Sequence, residues 1–325
     1  MLSIQTSLSF PLSSVKPFES LLPYRDYCLA SVQEALGGEA RLRSRCPACE
    51  SEHELIGRVC GLEYARCQGC ASLFLHSLPS SSGPWAQLLA KISQYRDSPK
   101  AFHSGLARER NETVYLPKLE WIQNTLRMHG IRCPRLLEVV TPPSDFSRIL
   151  AESDAFSEVV IADEMKLISE KSGSMLDSDT VDVAVLLESL DRVDEPEDLL
   201  HSLRDRLLDG GLCFITALVS SGFDVTVLGL RNVYLYPPDR TNCFSIAGLE
   251  RLLTRTGFTL LEVSTPGVLD VEIVLAHLLH DPSLPLSAFE RQVLTLGRET
   301  REAFQAFLQQ NRMSSFARIV GRKNA

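Results

Sequence analysis

The sequence predicts an α/β fold in which a largely parallel sheet is covered by helices and preceded by a small cysteine-rich unit. Two observations support this prediction. Short apolar runs alternate with amphipathic helical segments between residues 136 and 217, and two CxxC pairs stand near the N-terminus. Strand–helix–strand repetition is typical of a parallel sheet with helices on both faces. The 325 residues are enough for one large domain and a smaller one.

Composition and charge exclude several classes of protein. The chain is 44% hydrophobic and 23% charged, with a net charge of −8 and no basic stripe, which argues against binding to duplex nucleic acid. No apolar run reaches the roughly 18 residues that a membrane span needs, and the first 20 residues lack the cationic start of a secretory signal. We therefore expect a cytoplasmic protein without nucleic-acid or membrane partners, and interpret residues 1–42 as an arm and a helix.

Four of the nine cysteines form the two CxxC pairs, Cys46 with Cys49 and Cys67 with Cys70. Two residues between the cysteines let both sulfurs reach one ion about 2.3 Å away, and two such pairs complete a tetrahedron. The spacing predicts a zinc ribbon over residues 43–78, and four protein ligands indicate a structural rather than a catalytic ion. Disulfides or unrelated buried cysteines are the open alternative.

The segment after the cysteines predicts a helical connector over residues 79–130. The sequence PSSSGP at 79–84 is typical of a linker, and a helical pattern runs from Trp85 to about Met128. Ser98-Pro99 predicts a helix start within it, because serine caps helices and proline suits the first helical position. His103 and Arg110 fall in this segment, where we expect a solvated helix face.

Residues 131–277 predict the sheet domain, and residues 278–325 predict a helical C-terminal segment. A capping box at Ser287 and Glu290 supports a helix in the latter. The pattern predicts strands near 136–140, 159–162, 183–187, 212–217, 258–264 and 269–275, and helices near 144–153, 164–171, 196–208 and 247–256.

Acidic residues follow the predicted strands. In open α/β sheets, ligands bind beyond the carboxyl ends of the strands. We therefore expect one ligand site at this edge, close to four carboxylates, namely Glu138, Asp163, Glu164 and Glu188.

The turn after the first strand contains no glycine. It reads Thr141-Pro142-Pro143-Ser144-Asp145, in which Thr141 is expected to cap the following helix and Pro142 to begin it. The two prolines remove two N–H donors, and Asp145 places a negative charge where the helix N-terminus would otherwise attract an anion. The turn is predicted to be stable but a weak cradle for an anionic ligand group.

Several of these segments resemble class I S-adenosylmethionine-dependent methyltransferases, and in particular zinc-ribbon-bearing members from sugar and surface-polysaccharide pathways. The likeness lies in the paired CxxC motifs, in VDVAVLLESLDRVDEPEDLLHSLRDRLLDGGLCFIT and in PPDRTNCFSIAGLERLLTRTGF, and it covers roughly residues 45–325. It implies a Rossmann-like, seven-stranded methyltransferase sheet behind the zinc ribbon.

The resemblance also implies a set of cofactor contacts, with Asp163 and Glu164 near the ribose hydroxyls. The implied contacts of S-adenosylmethionine are Glu138, Val140, Thr141, Asp163, Glu164 and Glu188. Three residues of the turn depart from the family pattern, because Val140, Pro142 and Ser144 stand where the family has glycine.

The family's histidines are also replaced, by Arg192, Arg240 and Phe316. If the acceptor must lose a proton, the remaining candidate catalytic groups are Glu188, Asp191 and Tyr236, or a water molecule. The resemblance implies methyl transfer to a small biosynthetic, sugar-like acceptor. Two alternatives stay open, since fold does not determine function. One is a catalytically silent protein of the same fold that binds a protein partner or forms a homodimer, and the other is a different small-molecule reaction in the same pocket.

Overall fold

The computed structural model describes residues 11–15, 18–36, 40–79, 85, 87–89, 91–92, 106–140, 144–169 and 180–324. The predicted helix start at Ser98-Pro99, His103 and the turn residues Thr141 to Pro143 lie outside these residues.

The first described helix, α1 (Phe18–Ala35), precedes a small sheet that contains the CxxC pairs. Four strands form this sheet in the order β10–β4–β3–β2, and all neighbouring strands are antiparallel. The strands are β2 (His53–Val59), β3 (Leu62–Cys67), β4 (Leu73–Leu75) and β10 (Asn242–Cys243). A separate pair joins β1 (Ala40–Leu42) to β5 (Ser77–Pro79). We call residues 43–79 the cysteine unit, and its sheet is completed by a strand from far along the chain.

The second sheet has six strands in the described part of the chain, in the order β11–β12–β9–β8–β6–β7. The pairs β6/β7, β6/β8 and β8/β9 are parallel, whereas β12 is antiparallel to both β9 and β11. Its strands are β6 (Arg135–Val139), β7 (Glu158–Ala162), β8 (Val181–Leu187), β9 (Leu207–Leu218), β11 (Phe258–Ser264) and β12 (Phe316–Lys323). The predicted α/β class is confirmed, and the described sheet has one strand fewer than the predicted seven.

The central strands are apolar on both faces because each face packs against a different layer. On β8, Ala184 and Leu186 join a core that contains the helix after that strand and the buried cysteines. Val183 and Val185 point to the opposite face, where they pack with Trp121 and other residues. Successive side chains of a strand therefore contribute to two cores.

The helices lie between or beyond the strands, and most match the predicted segments. They are α2 (Ala107–Arg110), α3 (Leu116–Met128), α4 (Asp145–Ala151), α5 (Glu164–Ser169), α6 (Pro196–Arg206), α7 (Phe223–Leu228), α8 (Ile246–Arg255), α9 (Asp270–His280), α10 (Ala288–Thr295) and α11 (Arg298–Gln310). A π-helical turn, Asn111–Tyr115, joins α2 to α3. None of the helices described is both long and apolar enough to cross a membrane.

Two predictions of secondary structure were wrong. The segment 269–275, predicted as a strand, is the start of α9, because a short apolar run fits either a strand or a buried helix. The C-terminal segment 278–325, predicted as helical, ends in β12, which is inserted between β9 and β11. The division at residue 277 therefore separates a strand from the sheet to which it belongs.

The helix after the first strand of the large sheet begins at Asp145, close to the predicted start near residue 144, but its N-cap differs from the predicted one. Ser144, not Thr141, is its N-cap, and its hydroxyl accepts a hydrogen bond from the Phe146 N–H at 3.2 Å. Ser147 completes a reciprocal capping box by accepting from the Ser144 N–H at 2.8 Å. The predicted capping box at Ser287 and Glu290 is confirmed.

Candidate metal and methyl-transfer sites

The two CxxC pairs converge. The four sulfur atoms of Cys46, Cys49, Cys67 and Cys70 all lie within 4.8 Å of one another. Cys46 and Cys70 are 3.7 Å apart at sulfur, and Cys49 and Cys67 are 3.4 Å apart. Zinc–sulfur bonds of about 2.3 Å in a tetrahedron place sulfurs roughly 3.8 Å apart, so this cluster fits a zinc ion.

Both cysteine pairs use the same backbone turn. The N–H of Glu50 donates to the Cys46 carbonyl at 2.9 Å, and the N–H of Ala71 donates to the Cys67 carbonyl at 3.0 Å. Glu50 and Ala71 both have positive φ, 59° and 61°, immediately after the second cysteine of each pair. Gly69 is required for a separate reason, since an added Cβ would lie 2.3 Å from the Ser51 hydroxyl. The repeated turn directs all four sulfurs inward.

Two acidic residues lie at the carboxyl ends of neighbouring parallel strands in the large sheet. Glu138 is on β6 and Asp163 directly follows β7, with Val139 paired to Ala162 between them. Glu138 is buried, which raises the pKa of its carboxyl to about 7, although a hydrogen bond with Ser147 acts in the opposite direction. One oxygen, Oε2, is buried and has no hydrogen-bond partner. An orphaned buried acceptor at this edge fits a ligand hydroxyl or amino donor.

The rest of this edge fits a ligand less well. Asp163 accepts a hydrogen bond from the Lys166 N–H at 3.0 Å and therefore caps α5. Glu164 is buried in the first turn of that helix, and Val140 is half-buried, with its N–H donating to the Ala162 carbonyl at 3.0 Å. The capping box of α4 already occupies the Phe146 N–H, which would otherwise be open to an anion. The residues therefore fit the nucleoside part of S-adenosylmethionine better than its carboxylate.

A cavity of about 700 Å³ lies between α3 and the ends of β8, β9 and β12, and Glu138, Val140, Asp163 and Glu164 are not among the residues that line it. This volume is within the usual range for small-molecule sites. Glu188 and Arg240 line one wall, and the Arg240 guanidinium contacts Glu188 Oε2 at 2.7 Å. Glu188 has a φ of 63°, in the left-handed region that residues other than glycine rarely occupy. Such strained residues cluster at functional sites.

Two further buried cations line the cavity, and each lies over an aromatic ring. Lys118 Nζ on α3 is 5.4 Å from the ring centre of Phe316 on β12. Arg318 Cζ on β12 is 5.2 Å from the ring centre of Trp121 on α3. Burial lowers the pKa of Arg318 to about 10, and the charge of Glu262 partly offsets this effect. The arrangement presents positive charge and flat apolar surface to the same cavity.

The predicted catalytic residues are not all at this cavity. Asp191 is fully buried behind Arg240, 3.6 Å from its guanidinium, and accepts from the Leu218 N–H at 3.1 Å. Burial raises the pKa of Asp191 to about 7. Tyr236 does not line the cavity. Its ring packs near Arg25 of α1, and burial raises the pKa of its hydroxyl well above the usual range. Of the three, Glu188 alone lines the cavity.

Several cavity residues were not predicted. Lys118, Asp270 and Arg318 belong to it, and Arg110 does too, although a solvated helix face was expected there. The missed residues come from α3, α9 and β12. The β-branched pair Ile319-Val320 in FARIVGRK was the local signal that could have indicated β12.

Comparison with known proteins identifies the class of enzyme. The family described as "Methyltransferase domain" matches residues 82–263, which is more than half of the chain. No curated protein matches the sequence.

Solved structures with a similar fold include methyltransferases from three organisms. Phosphoethanolamine N-methyltransferase 2 of Haemonchus contortus, in complex with S-adenosyl-L-methionine, is 12% identical, and the match covers 78% of this chain and 63% of that one, with a TM-score of 0.45. The 1,6-didemethyltoxoflavin-N1-methyltransferase of Burkholderia thailandensis is 11% identical, covering 84% and 100%, at 0.41. An S-adenosylmethionine-dependent methyltransferase of Mesorhizobium loti is 13% identical, covering 62% and 96%, at 0.37.

Proposed function

Because the chain belongs to the methyltransferase domain family, we propose that it transfers a methyl group from S-adenosylmethionine to a small acceptor bound in the 700 Å³ cavity. The observation that supports this assignment most is the position of Glu188. It is a carboxylate directly after β8, the strand paired with β6, it is held in a left-handed conformation, and it lines the cavity.

Glu138 and Asp163 hold the nucleoside part of the cofactor in this proposal, with Val140 and Glu164 beside them in the chain. The unpartnered Glu138 Oε2 accepts a hydrogen bond from the ligand. When bound, S-adenosylmethionine supplies an electrophilic methyl group, and the protein's main task is to align the acceptor with it.

Glu188 accepts the proton that the acceptor loses. Arg240 fixes the orientation of this carboxylate through the 2.7 Å contact, and an arginine stays protonated and cannot itself serve as the base. Asp191 acts as a positioning residue, since it contacts Arg240 from behind and does not line the cavity. Tyr236 has no part in this mechanism.

The acceptor carries an anionic group as well as the atom that is methylated. Lys118 and Arg318 both line the cavity and place two positive charges at its surface. A carboxylate or a phosphate on the acceptor would be attracted to these charges. The flat surfaces of Trp121 and Phe316 suit a compact ring, which includes the sugar-like acceptor implied by the sequence.

The four cysteines hold one structural zinc ion in this proposal. The cluster has four protein ligands and therefore leaves no position open for substrate.

The proposal is tested by two measurements on the purified protein. S-adenosylhomocysteine binding is measured by calorimetry, and transfer of a labelled methyl group is measured with a panel of carboxylated, phosphorylated and neutral hydroxyl compounds. We expect binding, transfer to anionic compounds first, and at least a hundredfold loss of transfer in Glu188→Gln. Asp209→Asn, which alters an exposed carboxylate that is absent from the cavity lining, is the control.

A chain that binds no S-adenosylhomocysteine would favour the silent, partner-binding alternative. Transfer to neutral compounds alone would contradict the anionic acceptor, and so would an Arg318→Met variant whose acceptor KM is unchanged. We expect that KM to rise about tenfold or more, the usual effect of losing a hydrogen bond to a charged group.

A further inference from the structure

The backbone of Arg240 is hydrogen-bonded to the cysteine unit. Tyr64, on β3, is fully buried, and its hydroxyl donates to the Arg240 carbonyl at 2.7 Å. The side chain of the same Arg240 extends the other way and contacts Glu188 in the cavity wall. One residue therefore joins the core of the cysteine unit to the proposed acceptor site.

The residues after Arg240 are held by the same unit. The Leu75 N–H donates to the Thr241 carbonyl at 2.9 Å, and β10 continues the pairing, with Asn242 opposite Phe74. Arg43 Nη1 donates to the Asn242 side-chain oxygen at 2.7 Å. The backbone of segment 240–243 thus forms an edge of the small sheet, and the side chain of its first residue, Arg240, lines the cavity.

The loop that carries the second carboxylate is attached at the same place. The Asn242 N–H donates to the Asp191 carbonyl at 2.9 Å, and its side-chain amide donates to the carbonyls of Leu190 and Val193 at 3.0 and 2.7 Å. Asp191 and Arg240 are therefore fixed relative to each other through a segment that the cysteine unit holds.

We propose that the cysteine unit sets the position of the cavity wall, and that Tyr64 is a positioning residue which acts on Glu188 through Arg240. The inference rests on the proposed function of the cavity. It adds that the small sheet is part of the methyl-transfer site, since side chains at a reaction centre need a packed and hydrogen-bonded support to hold their geometry.

The direct test is hydrogen exchange in full-length, zinc-loaded Tyr64→Phe. The amides of Thr241, Asn242 and Cys243 should exchange about tenfold faster, because the variant removes one hydrogen bond that closes this segment. The amides of β11 should keep their exchange rates. Tyr27→Phe is the matched control, because it removes a hydroxyl from a ring packed on the same core. Unchanged exchange at 241–243, or an equal rise in β11, would overturn the inference.

A second readout separates positioning from general stability. With an acceptor found in the panel, Tyr64→Phe should raise the acceptor KM several-fold and leave the KM of S-adenosylmethionine unchanged. A variant that exchanges faster at 241–243 but keeps its acceptor KM would overturn the positioning role.

If Tyr64→Phe does not fold, Arg43→Met tests the same segment from the edge of the unit, with the same expected changes. Hydrogen exchange requires no acceptor, so it decides the coupling even if the chain transfers no methyl group. Failure of the proposed function and failure of this inference are therefore distinguishable.

Discussion

Burial of the Glu138 carboxyl lowers the stability of the fold and leaves one of its oxygens available to a ligand. Its carboxyl has a raised pKa of about 7 because burial disfavours the charged form, and one of its oxygens has no partner. A group with a raised folded pKa binds more protons in the folded than in the unfolded state between its two pKa values. The free energy of unfolding therefore falls as pH rises from about 4.5 to about 7.

Glu138→Gln should remove the free-energy cost of ionising this buried carboxyl. We expect the variant to be more stable than the natural protein by on the order of 3 kcal/mol above pH 8, and the difference to vanish near pH 4. Denaturant unfolding at several pH values measures the effect. The same variant should bind S-adenosylhomocysteine more weakly.

Glu262→Gln is the control for this pair of measurements. Glu262 is also buried with a raised pKa, but its oxygens accept from Trp121 at 3.1 Å and from Ser264 at 2.9 Å. Because these hydrogen bonds would be disturbed, the Glu262→Gln variant should be less stable than the natural protein. Its affinity for S-adenosylhomocysteine should not change. A Glu138→Gln protein without any gain at high pH would contradict the interpretation.

At the scale of the element, the N-terminus of α4 is already satisfied by its own side chains. Ser144 and Ser147 form a reciprocal capping box, so the first-turn N–H groups are engaged before a ligand arrives. Ser144→Gly should cost only a few tenths of a kcal/mol in stability, since glycine is an acceptable N-cap. It should strengthen S-adenosylhomocysteine binding up to about tenfold by freeing the Phe146 N–H.

Ser287→Gly provides the matched comparison, because Ser287 caps α10 with the same capping-box chemistry. Its stability loss should be similar, and its ligand affinity should stay at the natural value. Equal affinity in all three proteins, measured by calorimetry, would show that the cap does not compete with the ligand.

The elements that sequence could predict are those whose pattern is decided locally. The strands β6 to β9 and the helices α4, α5, α6 and α8 follow clear apolar periods, and the CxxC spacing is a local property of two turns. The elements α9 and β12 were missed because both are apolar segments whose state is decided by packing: α9 packs in the core with α1 and α11, and β12 is paired on both sides.

The residues of the site also divide into those that the sequence could predict and those that it could not. Glu138, Asp163 and Glu188 could be predicted because strand ends converge in a parallel sheet. Lys118 and Arg318 could not, since α3 and β12 are far apart in sequence and come into contact only in the folded chain. The burial of Asp191 and Tyr236 was equally beyond prediction, because it depends on the loop held by the cysteine unit.

At the scale of the whole molecule, the small sheet and the large domain share chain segments, so they should unfold together. The strand β10 belongs to the small sheet but lies within the family-matched region. The core that contains Tyr64 and Leu75 of the small sheet also contains Leu218 of β9. We expect about one zinc ion per chain. When free zinc is a thousandfold above its Kd, zinc binding adds about 4 kcal/mol to the free energy of unfolding. A chelator at pH 7 should remove this contribution.

The loss should appear as one transition at a lower midpoint, seen alike by circular dichroism and by tryptophan fluorescence, because β10 connects the two units. Cys70→Ser should reproduce it, whereas Cys133→Ser, at an exposed cysteine away from the cluster, should leave both zinc content and midpoint unchanged. Two separate transitions after chelation would show that the cysteine unit unfolds alone. A metal-free protein with the natural midpoint would exclude zinc as a structural component, since a ligand that binds only the folded state must stabilise it.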